Sequence, residues 1–341
     1  MTNKSSVASK QPYIHLISAI GNILEEGRRK ALQSVNQILV KTYWEIGKQI
    51  VEFEQQGGEK AEYGSRLLER LTQDLKTKYG RGFNIRNLYL MRQFYLTYKN
   101  LQTVSAELSW SHYIELIGIE DELARRFYEK QCVYEGWSVR ELKRQINTAL
   151  FHRIAFSKDK KGVLNLAQKG QLVETTKDIL KDPYIFEFLQ IPEGYRCSEK
   201  ELEQKIIDNL QMFLLELGKG FTFVGRQHRI TLDNMHFYVD LVFYHRILKC
   251  FVLIDLKLGK VTHQDIGQMN MYLSYFKKEE SGQDDNHPIG IILGTEKDTF
   301  SIEYALGGIT NQLFVSKYKL YLPDKKALQQ QLQNLLEQEK S

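Results

Sequence analysis

Three charged residues interrupt two otherwise apolar segments, and their types and spacing suit them to chemistry. Asp240 lies inside Phe237-Tyr-Val-Asp-Leu-Val-Phe243, while Asp255 and Lys257 close Phe251-Val-Leu-Ile-Asp-Leu-Lys257. Both segments are short, aromatic and β-branched, which predicts strands. Burying an unpaired carboxylate is costly, so each charge needs a partner, a metal or solvent. If the strands form a hairpin turning at Ile247-Leu248, residues whose numbers sum to 495 face one another, and Asp240 stands opposite Asp255. Opposed residues share a sheet face with Cβ atoms about 4.5–5.5 Å apart. Lys257 shares that face roughly 6.5–7 Å further along. Two carboxylates so placed repel unless a proton or cation sits between them. Hard oxygen ligands suit Mg2+ or Mn2+, and such an ion resolves the repulsion. The plainer alternative is a salt bridge at a sheet edge, and a one-residue slip of register would dissolve the site altogether.

The elements that must position these residues follow from periodicity. Ser198-Glu-Lys-Glu201 reads as a capping box, opening a helix whose Leu202, Ile206, Leu210, Phe213, Leu214 and Leu217 form one apolar stripe. Gly218 and Gly220 stop it. Strands are predicted at Phe221–Ile230, His236–Tyr244 and Lys249–Lys257, then a helix over Gln264–Phe276, a strand at Ile289–Leu293 and a late strand at Lys319–Leu322. This order describes an α/β or α+β sandwich.

Upstream the pattern is helical. None of the five prolines falls between Pro12 and Pro183, as expected for packed helices, where proline costs about 3 kcal/mol. Apolar residues recur at three- and four-residue steps from Tyr13 to Phe53, and Asn84 and Ser138-Val-Arg-Glu141 mark helix starts. A helical domain over 13–155, a second domain over 175–325 and a helical tail over 326–341 are expected.

Between Leu75 and Asn100, six basic residues, among them Lys78, Arg81, Arg86 and Arg92, interleave with aromatic ones and no acidic residue occurs. Such a segment could lie against nucleic acid, or its aromatics could be core and its cations a solvated face. Arg226, Arg229 and Lys260 flank the acidic pair and suit a phosphate-binding rim. The net charge of +5, from 47 basic and 42 acidic residues, therefore conceals local concentrations. Three cysteines are too few and too scattered for a disulfide framework or zinc finger. No apolar run approaches a membrane span, and the first residues lack a secretory core, so a soluble cytoplasmic protein with no membrane contact is expected.

Asp240, Asp255-Leu-Lys257 and Gln268 together resemble the PD-(D/E)XK nuclease core. Phe213-Leu-Leu-Glu-Leu-Gly218, Phe221-Thr-Phe-Val-Gly-Arg-Gln227, Asp240-Leu-Val-Phe-Tyr-His245 and Gly267-Gln-Met-Asn-Met-Tyr272 resemble the YhcG-like family within it, as do Tyr43-Trp-Glu-Ile-Gly47, Ala61-Glu-Tyr-Gly64 and Trp137-Ser-Val-Arg-Glu-Leu142. Val239 stands where the namesake proline is usual and Asp255 where glutamate is commoner; neither departure removes a ligand. The resemblance implies an all-α N-terminal domain followed by an α/β restriction-endonuclease-like domain with a mixed central sheet. It also implies a Mg2+- or Mn2+-dependent nuclease, with Asp240, Asp255 and the Leu256 carbonyl as metal ligands. Lys257 would orient the attacking water or steady transition-state charge, and Gln268 would hydrogen-bond the lysine or the water. Many such nucleases add a glutamate from the preceding helix; Glu201 is occupied by its capping box, which leaves Glu203. Double-stranded DNA is the implied partner, with RNA and self-association left open. The rival reading is a non-catalytic nucleic-acid-binding or assembly module that retains the nuclease fold.

Overall fold

A computed structural model describes residues 10–56, 62–80, 82–101, 104–156, 158, 160–192, 194–195, 197–232, 234–296 and 312–338. The chain divides into two compact units, Met1–Arg125 and Arg126–Ser341.

The first unit contains α1 (Lys10–Gln56), α2 (Glu62–Tyr79), α3 (Ile85–Thr97), α4 (Trp110–Ile117) and the start of α5 (Glu122–Glu135). The apolar recurrence from Tyr13 to Phe53 thus belongs to one unbroken helix. Val40, Trp44, Ile50 and Val51 of α1 pack with Leu88, Met91 and Phe94 of α3 in the core. Gly47 permits the close approach: a Cβ there would lie 2.0 Å from the Met91 carbonyl oxygen. Trp44 donates its indole N–H to the Tyr98 carbonyl at 2.5 Å. Asn84 caps α3 by accepting from the Asn87 amide at 2.8 Å.

The second unit opens with the remainder of α5, followed by α6 (Val139–Asn147), α7 (Leu150–Ala155) and α8 (Lys160–Lys169). The Ser138–Glu141 capping box forms at the start of α6, and left-handed Ala149 (φ 52°) separates α6 from α7. Next come β1 (Tyr184–Ile185), α9 (Glu199–Asp208), α10 (Leu210–Leu217), β2 (Phe221–Leu232), β3 (Met235–His245) and β4 (Cys250–Lys260). They are followed by α11 (His263–Tyr275), β5 (Ile289–Glu296), β6 (Leu313–Lys319) and α12 (Lys325–Gln338). The single helix expected after Ser198 is therefore two, divided at Asn209, whose φ of −118° leaves the helical range. The late strand also lies earlier than Lys319–Leu322. β6 ends at Lys319 because it pairs in parallel with buried β5 on one side and with β1 on the other.

The sheet runs β1-β6-β5-β4-β3-β2 and is mixed: β2, β3 and β4 are antiparallel, while β4, β5, β6 and β1 are parallel. Alternation along the strands supplies two cores. Leu241, Phe243, Val252 and Ile254 meet Leu202 and Ile206 of α9 and Phe213 and Leu217 of α10 on one face. Val242, Leu253 and Ile292 meet Ile266, Met269, Tyr272 and Leu273 of α11 on the other. The architecture is a helical N-terminal region followed by a mixed-sheet α/β domain.

A buried ionic cluster ties α6 and α7 to this sheet domain. Glu216 of α10 is fully buried and accepts from Arg153 at 2.7 Å, Arg144 at 3.1 Å and the Ile185 amide at 3.0 Å. Arg144 also pairs with Glu187 at 2.8 Å, and Lys181 donates to the Glu216 carbonyl. Burial alone would raise the Glu216 carboxyl, but Arg153, Lys181 and Arg144 hold it down at about 2. These ties place the segment from Arg126 onward in the second unit, upstream of the 155–175 interval where the composition of the chain shifts.

Candidate active site

The hairpin of β3 and β4 adopts the register in which facing residues sum to 495: His245 pairs with Cys250 and Leu241 with Ile254. Asp240 and Asp255 occupy the next position. There the ladder stops, and Asp240 Oδ2 accepts the Leu256 backbone N–H at 2.8 Å. Asp255 is 5% exposed, and its Oδ2 lies 2.9 Å from Lys257 Nζ. Burial pushes the Asp255 carboxyl well above the usual range, and the adjacent Asp240 carboxylate, within reach to share its proton, pushes it further. Burial works to lower Lys257, but Asp255, Glu199 and Asp240 outweigh it and raise the ammonium above its ordinary value. Asp265 at the start of α11 adds a carboxylate 3.8 Å from the same Nζ.

The Ser198 capping box forms, with Glu201 turned back to the Ser198 amide at 2.8 Å. Glu203, two residues on, is buried and reaches the site. Its link is Gln227 on β2, whose amide donates to Glu203 Oε2 and, at 3.1 Å, to Asp240 Oδ1. Gln227 has φ 47°, a left-handed conformation uncommon outside glycine, so the strand is bent where its side chain must bridge two carboxylates. Burial raises the Glu203 carboxyl; Gln227 opposes this and Asp240 reinforces it. Gln268, in the second turn of α11, donates to Tyr272 Oη at 2.5 Å, and Tyr272 donates to the Tyr238 carbonyl at 3.0 Å. Its partner here is thus Tyr272, where the expectation named the lysine or the water.

The donor set suits a hard divalent cation. Asp240 and Asp255 bring two carboxylates to one point with a single adjacent lysine, and their mutual repulsion raises Asp255 in a way that a cation would relieve. Among the described residues, no group of three or more His, Cys, Asp or Glu side chains forms a metal-ligand cluster. Two carboxylates with a backbone carbonyl, the rest of the shell left to water and substrate oxygens, is the pattern magnesium favours.

Around this centre Arg226 is exposed and donates to Gln204 at 2.7 Å, and Arg229 and Lys260 are also exposed. In the first unit Lys78 and Arg86 are exposed, whereas Arg92 forms a paired bond with Glu54 at 3.0 and 2.8 Å. Both bonds come from Arg92 Nε. Arg81 lies outside the described residues. Gln227, Tyr272 and Asp265 are site neighbours that spacing alone did not single out.

The family model described as the YhcG PDDEXK nuclease domain matches residues 177–334, and the DUF1016 N-terminal domain matches residues 19–153. A curated relative, "Putative nuclease YhcG" of Escherichia coli (strain K12), is 39% identical over 352 residues, covering 94% of this chain and 93% of that protein. Among solved structures, a repair endonuclease from Pyrococcus abyssi aligns over 39% of this chain and 50% of its own, at 22% identity and a TM-score of 0.27. EndoMS in apo form aligns over 39% and 49%, at 15% identity and a TM-score of 0.25. The chain thus spans about half the length of each of these two structures. With both of its regions matched and nearly the whole chain aligned to one relative, the chain belongs to the YhcG family of PDDEXK nucleases.

Proposed function

We propose that the protein is a divalent-metal-dependent endonuclease that hydrolyses phosphodiester bonds in double-stranded DNA. The carrying observation is the Asp240–Asp255 pair, one member buried, with Lys257 2.9 Å from Asp255. Asp240, Asp255 and the Leu256 carbonyl are the residues that would hold Mg2+ or Mn2+, which when bound acidifies a water and offsets charge on the transferring phosphate. The chain's own groups do the rest. Lys257, its Nζ 2.9 Å from Asp255, is placed to donate to the reacting oxygens and offset transition-state charge. Gln227 holds Asp240 and Glu203 in one arrangement through its two hydrogen bonds. Gln268 braces Tyr272 beside the carboxylates. The exposed cations Arg226, Arg229 and Lys260 suit backbone phosphates, which position a duplex without reading its sequence.

The test is incubation of the full-length protein with supercoiled plasmid, end-blocked linear duplex and RNA, with Mg2+, Mn2+ or chelator. Cleavage of plasmid and of end-blocked duplex only when metal is present supports the reading. RNA cleavage alone would overturn the substrate assignment. Duplex binding without cleavage under every condition would favour a non-catalytic binding module.

A further inference from the structure

The helix α1 carries a face that the described residues leave uncovered. Every residue from Tyr13 to Leu39 is exposed except Gly21 and Asn36. Yet this stretch is strongly two-sided. Tyr13, Ile17, Ile20, Leu24, Val35 and Ile38 follow three- and four-residue steps, with Gly27 and Ala31 continuing the row, and so form one stripe. Tyr13 is 64% exposed and Ile38 is 65% exposed. His15, Asn22, Glu26, Arg29 and Gln33 occupy the opposite side of the helix. A solvated helix has no use for a continuous apolar stripe, and helices hold in water chiefly through packing of such a face.

The stripe does not end at Leu39. Continued along the same side of α1 it passes Thr42, Glu45, Ile46 and Gln49, which with Lys41 at the rim, Leu71, Leu75 and Tyr79 of α2 and Phe83 line an open groove of about 820 Å3 whose floor is mainly apolar. One helix therefore bears an uncovered apolar ridge in its N-terminal half and forms one wall of an apolar groove in its C-terminal half, on one face. An antiparallel pairing of two such helices lays each ridge along the other's groove, the self-complementary arrangement a two-fold interface requires. Tyr13, Ile17, Ile20, Leu24, Val35 and Ile38 are 45–65% exposed, and with the adjoining groove they give each copy an apolar surface comparable to the roughly 800 Å2 per partner of a standard stable interface.

We infer that this face is the interface with a second copy of the chain, α1 against α1 in antiparallel sense. Sedimentation equilibrium of the full chain tests it, beside a variant combining Ile17→Glu, Ile20→Glu and Leu24→Glu. These side chains are about half exposed among the described residues, so the variant should fold. The expected result is twice the chain mass for the unsubstituted protein and a single chain mass for the variant, with the dissociation constant raised at least about 100-fold. The direction of pairing is read separately in a Cys197→Ser background: protein carrying Ile20→Cys, mixed with protein carrying Thr42→Cys, should form a disulfide between the two. A monomeric unsubstituted chain overturns the proposal, as does a dimer that survives the triple substitution. Crosslinking of Ile20→Cys only to itself overturns the antiparallel arrangement. A monomer whose α1 binds vesicles of anionic phospholipid, with binding lost in the triple variant, also overturns it and assigns the stripe to a lipid surface.

Discussion

Two buried acids of the second unit, Glu216 and Asp255, are balanced in opposite ways. Glu216 has two arginines and a backbone amide on its carboxylate and a lysine close by, and its carboxyl falls to about 2. Asp255 has one lysine and another carboxylate, and its carboxyl rises. Both sites remove an acid from water, so burial pushes both upward; the neighbours decide the outcome. Where cations exceed carboxylates, the group is a permanent anion that fastens α6, α7, β1 and α10 together. Where carboxylates exceed cations, the arrangement is incomplete without something positive. An under-compensated buried acid is therefore the better mark of a working site than burial itself.

Substitution should separate the two sites most sharply. Asp255→Ala is expected to reduce metal-dependent cleavage by at least about 10^3-fold while leaving thermal unfolding nearly unchanged, a loss comparable to removing a transition-state electrostatic group. Glu216→Gln should act the other way round. It leaves Arg144 and Arg153 buried without their anion, costing about 3–5 kcal/mol in urea unfolding, with little change in cleavage per folded molecule.

Less drastically, Gln227→Leu should release Glu203 and Asp240 from each other and reduce kcat about 10- to 100-fold with KM little changed, as expected when positioning slips. An unaltered kcat would mean that the two carboxylates are placed without it.

The pH dependence of stability should differ in sign between the sites when metal is absent. Glu216 is depressed in the folded chain, so its contribution is complete above its ordinary value of 4.5 and lost as pH falls towards about 2. Asp255 is raised, so its contribution is complete below its ordinary value of 3.8 and lost as pH rises through its folded value. Relative to the unsubstituted protein, Asp255→Asn should therefore gain stability as pH rises, and Glu216→Gln should lose it. Parallel curves for the two variants, from denaturant unfolding at several pH values, would remove the contrast. The smallest effect is expected for Ser198→Ala, about 1 kcal/mol from the lost α9 cap. Cleavage should persist there, because Glu203 is held by Gln227 and not by the cap.

What the amino-acid sequence disclosed about these sites follows the distance over which each contact acts. The β3–β4 register was legible because a short turn centred on Ile247-Leu248 determines it locally, and the Ser138, Ser198 and Asn84 caps are local in the same way. The helical N-terminal region and the strand-rich second half were legible from the change of period, and the mixed sheet from the family resemblance. The position of β6 was not, since Leu313–Lys319 becomes a strand by pairing with β5 and β1. Nor was the Glu216 cluster, whose arginines lie 63 and 72 residues away in sequence. Nor was the Arg92–Glu54 ion pair, whose partners lie 38 residues apart. Gln227 left only a faint trace, because a polar residue in an edge strand is ordinary until its backbone turns left-handed.

The central claim is that the Asp240–Asp255 pair is an acidic site held open for a divalent ion. Its most direct test is one melting series of the full-length protein and Asp255→Asn, each with and without Mg2+ or Mn2+, alongside plasmid cleavage by the same samples. The account predicts that metal raises the melting temperature of the unsubstituted protein, in proportion to RT ln(1 + [L]/Kd), and permits cleavage. Asp255→Asn should melt at or above the metal-free protein, ignore metal and leave the plasmid intact. Metal-dependent cleavage retained by a folded Asp255→Asn would contradict it.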